Sequence, residues 1–233
     1  MNRNTIRTTP KRVEDIGLSP FELKFRGKKR TDTPHITAIS FNESVVNESD
    51  ILNDQDLDAV LKIKNTCWLN IAGLHDVDLM KKLMTLFDID ANIMAEIMNP
   101  AIRPKIQEFD NGLFITMKII RQQRNQILEF DNFSLLLRGN FVITFQEEEG
   151  TTFDPIRERI RKHKTKIRTG GPDYLAFALL DVVIDNYTYI VSMLGEDIEN
   201  LESGMNENLD KKMPVKINHY KQELNFNIKQ GGI

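Results

Sequence analysis

"RPKIQEFDNGLFITMKIIRQQRNQILEFDNFSLLLRGNFVITFQEE", residues 103–148, decides the fold. Apolar runs of strand length alternate there with short polar breaks at Asn111-Gly112, Arg124-Asn125 and Gly139-Asn140. Breaks this short leave no room for a crossover, so consecutive strands must lie antiparallel, side by side. Four strands are predicted, over RPKIQEFD, GLFITMKIIRQ, QILEFDNFSLLLRG and NFVITFQEE.

Upstream, CWLNIAG (67–73) reads as a buried strand ending at Gly73, and HITAISF (35–41) alternates with period two. FELKFRG (21–27) reads as a further strand, and residues 1–19 as a flexible arm. NDQDLDAVLKIK suggests a short helix. DVDLMKKLMTLFDI places Leu79, Leu83 and Leu86 at helical spacing behind Asp76, a residue suited to cap the exposed N–H groups. DANIMAEIMN is a second short helix that must end before Pro100. Downstream, FDPIRERIRKHKTKI opens a helix with Asp154 as cap and Pro155 at the first helical position. A long helix follows TGGPD, from about 172 to 204, and a last helical segment covers 214–229. The expected fold is α/β: a mixed, largely antiparallel sheet flanked by helices as an α/β/α sandwich, followed by long C-terminal helices. The expected divisions are an arm (1–19), an α/β domain (20–171) and a helical extension (172–233).

Composition narrows the function. The 233 residues hold 31 Lys and Arg against 34 Asp and Glu, a net charge of -3, so no overall basic excess points to nucleic acid. A single cysteine, Cys67, rules out an internal disulfide and any CxxC motif, and its apolar surroundings predict a buried thiol. The N-terminus has no apolar stretch of a secretory signal. No uninterrupted run reaches the roughly 20 apolar residues of a membrane span, so the chain reads as soluble and cytoplasmic.

Two segments hold candidate chemistry. DYLAFALLDVVIDNYTYIVSML (173–194) keeps Asp181 and Asp185 inside an apolar run. At about 100° per residue, Asp185, Thr188, Ser192 and Glu199 fall within about 40° of Asp181, forming one polar stripe. The stripe is either the wet side of a packed helix, or a carboxylate seam against another subunit that shares a cation. The basic run Arg157, Arg159, Arg161, Lys162, Lys164, Lys166 and Arg168 is read as a solvated helix face; the rival reading is a phosphate-binding surface for nucleic acid or lipid. His35, His75, His163 and His219 lack metal-ligand spacing, and no phosphate loop, dinucleotide fingerprint or nucleophile elbow occurs. Nothing asks for an enzyme.

The order of motifs adds a resemblance. WLNIAGLHDVDLMKKLMTLFDID, MAEIMNPAIRPKIQEFDNGLFITMKII, FVITFQEEEGTTFDPIRERIR and GGPDYLAFALLDVVIDNY together resemble the N-terminal cytoplasmic domain of the CorA family of magnesium and divalent-cation transporters, over roughly residues 14–205. The resemblance implies a homopentameric channel on the cytoplasmic side of the inner membrane, with stalk and membrane helices and a Gly-Met-Asn pore signature not found in this chain. As given, the chain looks like an excised soluble domain, monomeric or weakly associated. It further implies Mg2+ bound between neighbouring subunits and favouring the closed state, through Glu96 of the short helix and Asp181 of the long one. Ala95 stands where some relatives carry a second acid, which implies one seam ion rather than two. Asp185 is left to the solvated stripe. Co2+ or Ni2+ could enter the same oxygen cage, and a related zinc or cobalt transporter is the alternative.

Overall fold

The computed structural model describes residues 23–110, 112–122, 128–162 and 166–205. Seven strands make one sheet: β1 (His35–Phe41), β2 (Val46–Asp50), β3 (Thr66–Ala72), β4 (Lys105–Phe109), β5 (Gly112–Gln122), β6 (Leu128–Arg138) and β7 (Phe141–Gln146), in the order β2-β1-β3-β7-β6-β5-β4. Only β3 and β7 pair parallel, with Asn70 beside Thr144; every other neighbour is antiparallel. The sheet is therefore mixed and largely antiparallel, as expected. β4–β7 pair consecutively and antiparallel, as the strand runs of 103–148 predict, and Gly139 takes the left-handed φ of 55° that its hairpin needs.

Alternation along the strands sends neighbouring side chains to opposite faces. On one face Leu69, Ile71, Leu136, Ile143 and Phe145 pack against α1 (Asp54–Leu61), α2 (Val77–Leu86) and α3 (Ala91–Ile97). On the other, Trp68, Phe133, Leu135 and Val142 pack against α4 (Asp154–Arg161), α5 (Lys166–Thr169) and α6 (Gly171–Met205). Three layers result, and the first turns of α6 are part of the sheet's cover through Leu175, Leu179 and Val183. By length and composition alone Gly171–Met193 could cross a membrane. Leu175, Leu179 and Val183 of that segment pack on the sheet, while Phe177, Ile184 and Val191 stay exposed.

Several expectations are corrected. Leu23–Gly27 forms no strand; Arg26 N–H donates to the Met98 carbonyl at 3.1 Å, and Leu23 and Phe25 pack against the core. β2 has no apolar face to announce it and forms by pairing with β1. Asp154 lies inside α4 rather than capping it: its carboxylate accepts from Arg157 at 2.8 Å, and the cap position is Phe153, with no side-chain bond. The helix opened by FDPIRER stops at Arg161, where Lys162 turns extended, and a separate turn, α5, begins at Lys166. Asp76 does cap α2, accepting from Leu79 N–H at 3.0 Å. The predicted arm 1–19 and the segment 214–229 lie outside the described residues.

Candidate functional site

Glu96 is positioned by the shortness of α3. Asp90 caps the helix, accepting from Asn92 N–H, and Ile93, Met94 and Ile97 bury one side in the core. Glu96 falls between buried and open faces, with its side chain 34% exposed. The chain reverses at Pro100 and returns as β4, which brings Lys105 back under the helix. Lys105 Nζ lies 2.7 Å from Glu96 Oε1 and 2.6 Å from Oε2, donates to Gln107 Oε1 at 2.8 Å, and sits 5.7 Å from the centre of the Phe114 ring. A carboxylate that cradles an ammonium with both oxygens has the donor set for a hard metal cation, with Oε2 covered in this arrangement.

Asp181 is exposed on the outer side of α6, opposite the buried Leu175, Leu179 and Val183. Asp185, Thr188, Ser192 and Glu199 are exposed too, so the whole predicted stripe faces outward. It is not bordered only by polar groups: Phe177 is 61% exposed, Ile184 55% and Val191 57%. Within one chain Glu96 and Asp181 do not meet. They sit in opposite helix layers, and with about 10 Å per packed layer the sheet holds them much too far apart to share an ion. Among the described residues no group of three or more His, Cys, Asp or Glu is placed to hold a metal.

The basic run is a solvated face only in part: Arg161, Lys162 and Lys166 are exposed, whereas Arg157 and Arg168 are buried. Arg157 is buried and stacks over Trp68 with its guanidinium 5.2 Å from the ring centre. Arg168 is buried and donates to the Ile160 carbonyl at 2.6 Å and the Arg161 carbonyl at 3.2 Å. Arg161 clasps Glu48 with two bonds, and Lys162 pairs with Glu158. Lys164 and His163 lie outside the described residues. Arg157 and Arg168 are committed to the fold, so the exposed part of the run is shorter than the sequence suggests, which weakens the case for a phosphate-binding surface.

A buried ionic network escaped the sequence reading. Arg30 reaches Asp131 at 2.5 Å, Glu148 at 3.3 Å and Glu147 at 3.7 Å. Lys118 donates to the Pro100 carbonyl at 2.5 Å, just past the helix that carries Glu96. Burial, together with Asp131, pushes the Glu147 carboxyl up, against the pull of the Asn132 N–H, Arg30 and Lys118. Burial pushes the Lys118 ammonium down, opposed by Glu147 and Asp131. The signal available in the sequence was a charge at an inward position of an apolar strand, as Lys118 is within FITMKII. Cys67 is buried as expected, its thiol pushed up to about 12 by desolvation.

The architecture is that of soluble domains of ion transporters. It superposes on the soluble domain of CorA from Methanocaldococcus jannaschii with a TM-score of 0.58 and 15% identity, covering 77% of this chain and 68% of that one. The ZntB cytoplasmic domain from Vibrio parahaemolyticus gives a TM-score of 0.62 at 13% identity, over 84% and 73%. In sequence, the chain is 32% identical over 212 residues to the cobalt/magnesium transport protein CorA of Thermotoga maritima, covering 89% of this chain and 59% of that protein. The model of the CorA-like Mg2+ transporter protein family matches residues 64–229, and the chain belongs to that family. It spans little more than half the length of its Thermotoga relative.

Proposed function

We propose that this chain is the cytoplasmic divalent-sensing part of a CorA-like magnesium channel, in which Glu96 of one subunit and Asp181 of its neighbour hold Mg2+ and favour the closed state. The observation that carries the reading is the placement of the two acids on opposite outer layers of one sheet. A chain built so presents one half-site on each side, and copies arranged head to tail around a ring complete a site at every seam. Family membership supplies the transport context, and a homopentamer at the cytoplasmic side of the inner membrane is part of this proposal.

When bound, the ion supplies positive charge that lets two carboxylates approach. The protein's own residues do the rest. Asp90 and the core side chains of α3 fix Glu96, and the sheet contacts of α6 fix Asp181. One or two carboxylates per seam with retained waters suit Mg2+ and give a weak site matched to an abundant ion. Oxygen donors alone do not reject Co2+, whereas a zinc-specific site would draw on imidazole or thiolate ligands.

The test is a titration of the 233-residue chain with MgCl2 against chelator, read by thermal shift and sedimentation velocity. Mg2+ should raise the melting temperature and promote association in the parent, and Glu96→Gln or Asp181→Asn should each remove both responses. Two variants that answer Mg2+ like the parent would sink the reading.

A further inference from the structure

Glu96 already has a cation on it. The Lys105 ammonium straddles both carboxylate oxygens, at 2.7 and 2.6 Å, in the place where a metal ion would be chelated. Resting on the reading of Glu96 given above, we infer that Lys105 is an internal competitor for the seam ion. Its ammonium occupies the carboxylate at low divalent concentration, leaves when the ion binds, and so sets the concentration to which the seam responds.

The surroundings make such an exchange feasible. Both side chains are about a third exposed, at 33% for Lys105 and 34% for Glu96, but Glu96 Oε2 itself is covered, so an ion reaches that oxygen only once the ammonium moves aside. Lys105 also has somewhere to go. Gln107 Oε1 accepts from it at 2.8 Å, and the face of Phe114 lies 5.7 Å away. A four-carbon side chain held by an amide oxygen and a ring can swing off Glu96 without losing every partner. Lys105 lies at the first position of β4, the last strand of the sheet among the described residues, opposite Thr116 on its one neighbouring strand there.

The consequence is quantitative. A state that is only partly available lowers apparent affinity by its available fraction, and here the available state is Glu96 free of ammonium. A positive charge left about 5 Å from a divalent ion weakens binding by about tenfold even at water-like screening. The penalty is one of charge, not of donor type. It should therefore act equally on Mg2+ and Co2+.

The experiment titrates the chain with MgCl2 and with CoCl2, reading thermal shift and sedimentation, for the parent, Lys105→Met, Lys105→Arg and Glu96→Gln. Lys105→Met should move the midpoint for both ions down by about tenfold. Lys105→Arg keeps the charge and grips a carboxylate with two bonds, so its midpoint should stay at or above the parent's. Lys105→Gln replaces the methionine variant should that one fold poorly. An unchanged midpoint in Lys105→Met or Lys105→Gln, with Glu96→Gln still unresponsive, overturns the competitor and leaves the Glu96 site standing. A Glu96→Gln chain that responds like the parent removes the site and the competitor together.

Discussion

Glu147 shows what burial does to a single side chain. Its carboxyl is shifted up from the ordinary 4.5, chiefly because burial penalises the charged form. The folded chain thus binds this proton more tightly than the unfolded one. The stability it contributes is fully present below 4.5 and is lost as pH rises through the folded value. Glu147→Gln cannot ionise, yet can still accept from the Asn132 N–H. Its melting temperature relative to the parent should therefore rise from about pH 4 to about pH 7, in paired thermal melts. A difference that stays flat, or falls, would mean that Arg30 outweighs desolvation there. Asp181 is the opposite case, an acid on the open side of a helix. Asp181→Ala should change unfolding free energy by no more than about 0.5 kcal/mol in urea titrations, since alanine is the better helix former and no core contact is lost. A larger loss would tie Asp181 into the fold and weaken its role at a seam.

At the scale of elements, α6 divides its work between two faces. Leu179 is fully buried against the sheet while Phe177, two residues away, is 61% exposed. Leu179→Ala should cost about 2–5 kcal/mol, and Phe177→Ala far less, in equilibrium denaturation of the chain under chelating conditions. Equal losses would mean that the outer face is packed in solution even without divalent ions. The same division explains what could be read beforehand. The meander of β4–β7 was legible because its turns are short and its strands apolar. β2 was not, because VNESD has no buried face and depends on β1 for its bonds. FELKFRG alternates like a strand, but the described Leu23–Gly27 forms no strand; Arg26 bonds to the end of α3 and Leu23 and Phe25 pack on the core. Asp154 has the chemistry of a cap, and Arg157, one turn on, takes its carboxylate. The motifs behind the family resemblance are mostly packing. Trp68 meets Phe153 edge-on at 6.2 Å and lies under Arg157, so they identify the fold rather than the site. For the proposed site, Glu96 and Asp181 come from the resemblance alone, and their places in opposite layers depend on topology. Lys105 was invisible as the partner of Glu96 because its approach depends on the reversal at Pro100.

For the whole molecule, the half-sites proposed at Glu96 and Asp181 lie in opposite layers, and that placement would dictate the kind of assembly. A two-fold dimer would bring like patches together, Glu96 facing Glu96 or Asp181 facing Asp181, whereas a head-to-tail contact pairs unlike patches and leaves one of each free to continue. In chelator the carboxylates have no shared cation, so the chain should be monomeric or weakly associated at micromolar concentration. With Mg2+ it should grow beyond a dimer, because each added copy carries a fresh half-site. Mixing variants separates the two geometries. Glu96→Gln keeps an intact Asp181 patch, and Asp181→Asn keeps an intact Glu96 patch. Neither should associate alone under Mg2+. Together they can build a single complete seam, after which both outward-facing patches are inactive and growth stops. Sedimentation velocity of the equimolar mixture should therefore show a Mg2+-dependent heterodimer and nothing larger, while the parent at the same concentration forms higher species. A mixture that stays monomeric would break the pairing of Glu96 with Asp181, and one that grows past the dimer would mean that a second contact, outside these two acids, holds the copies together.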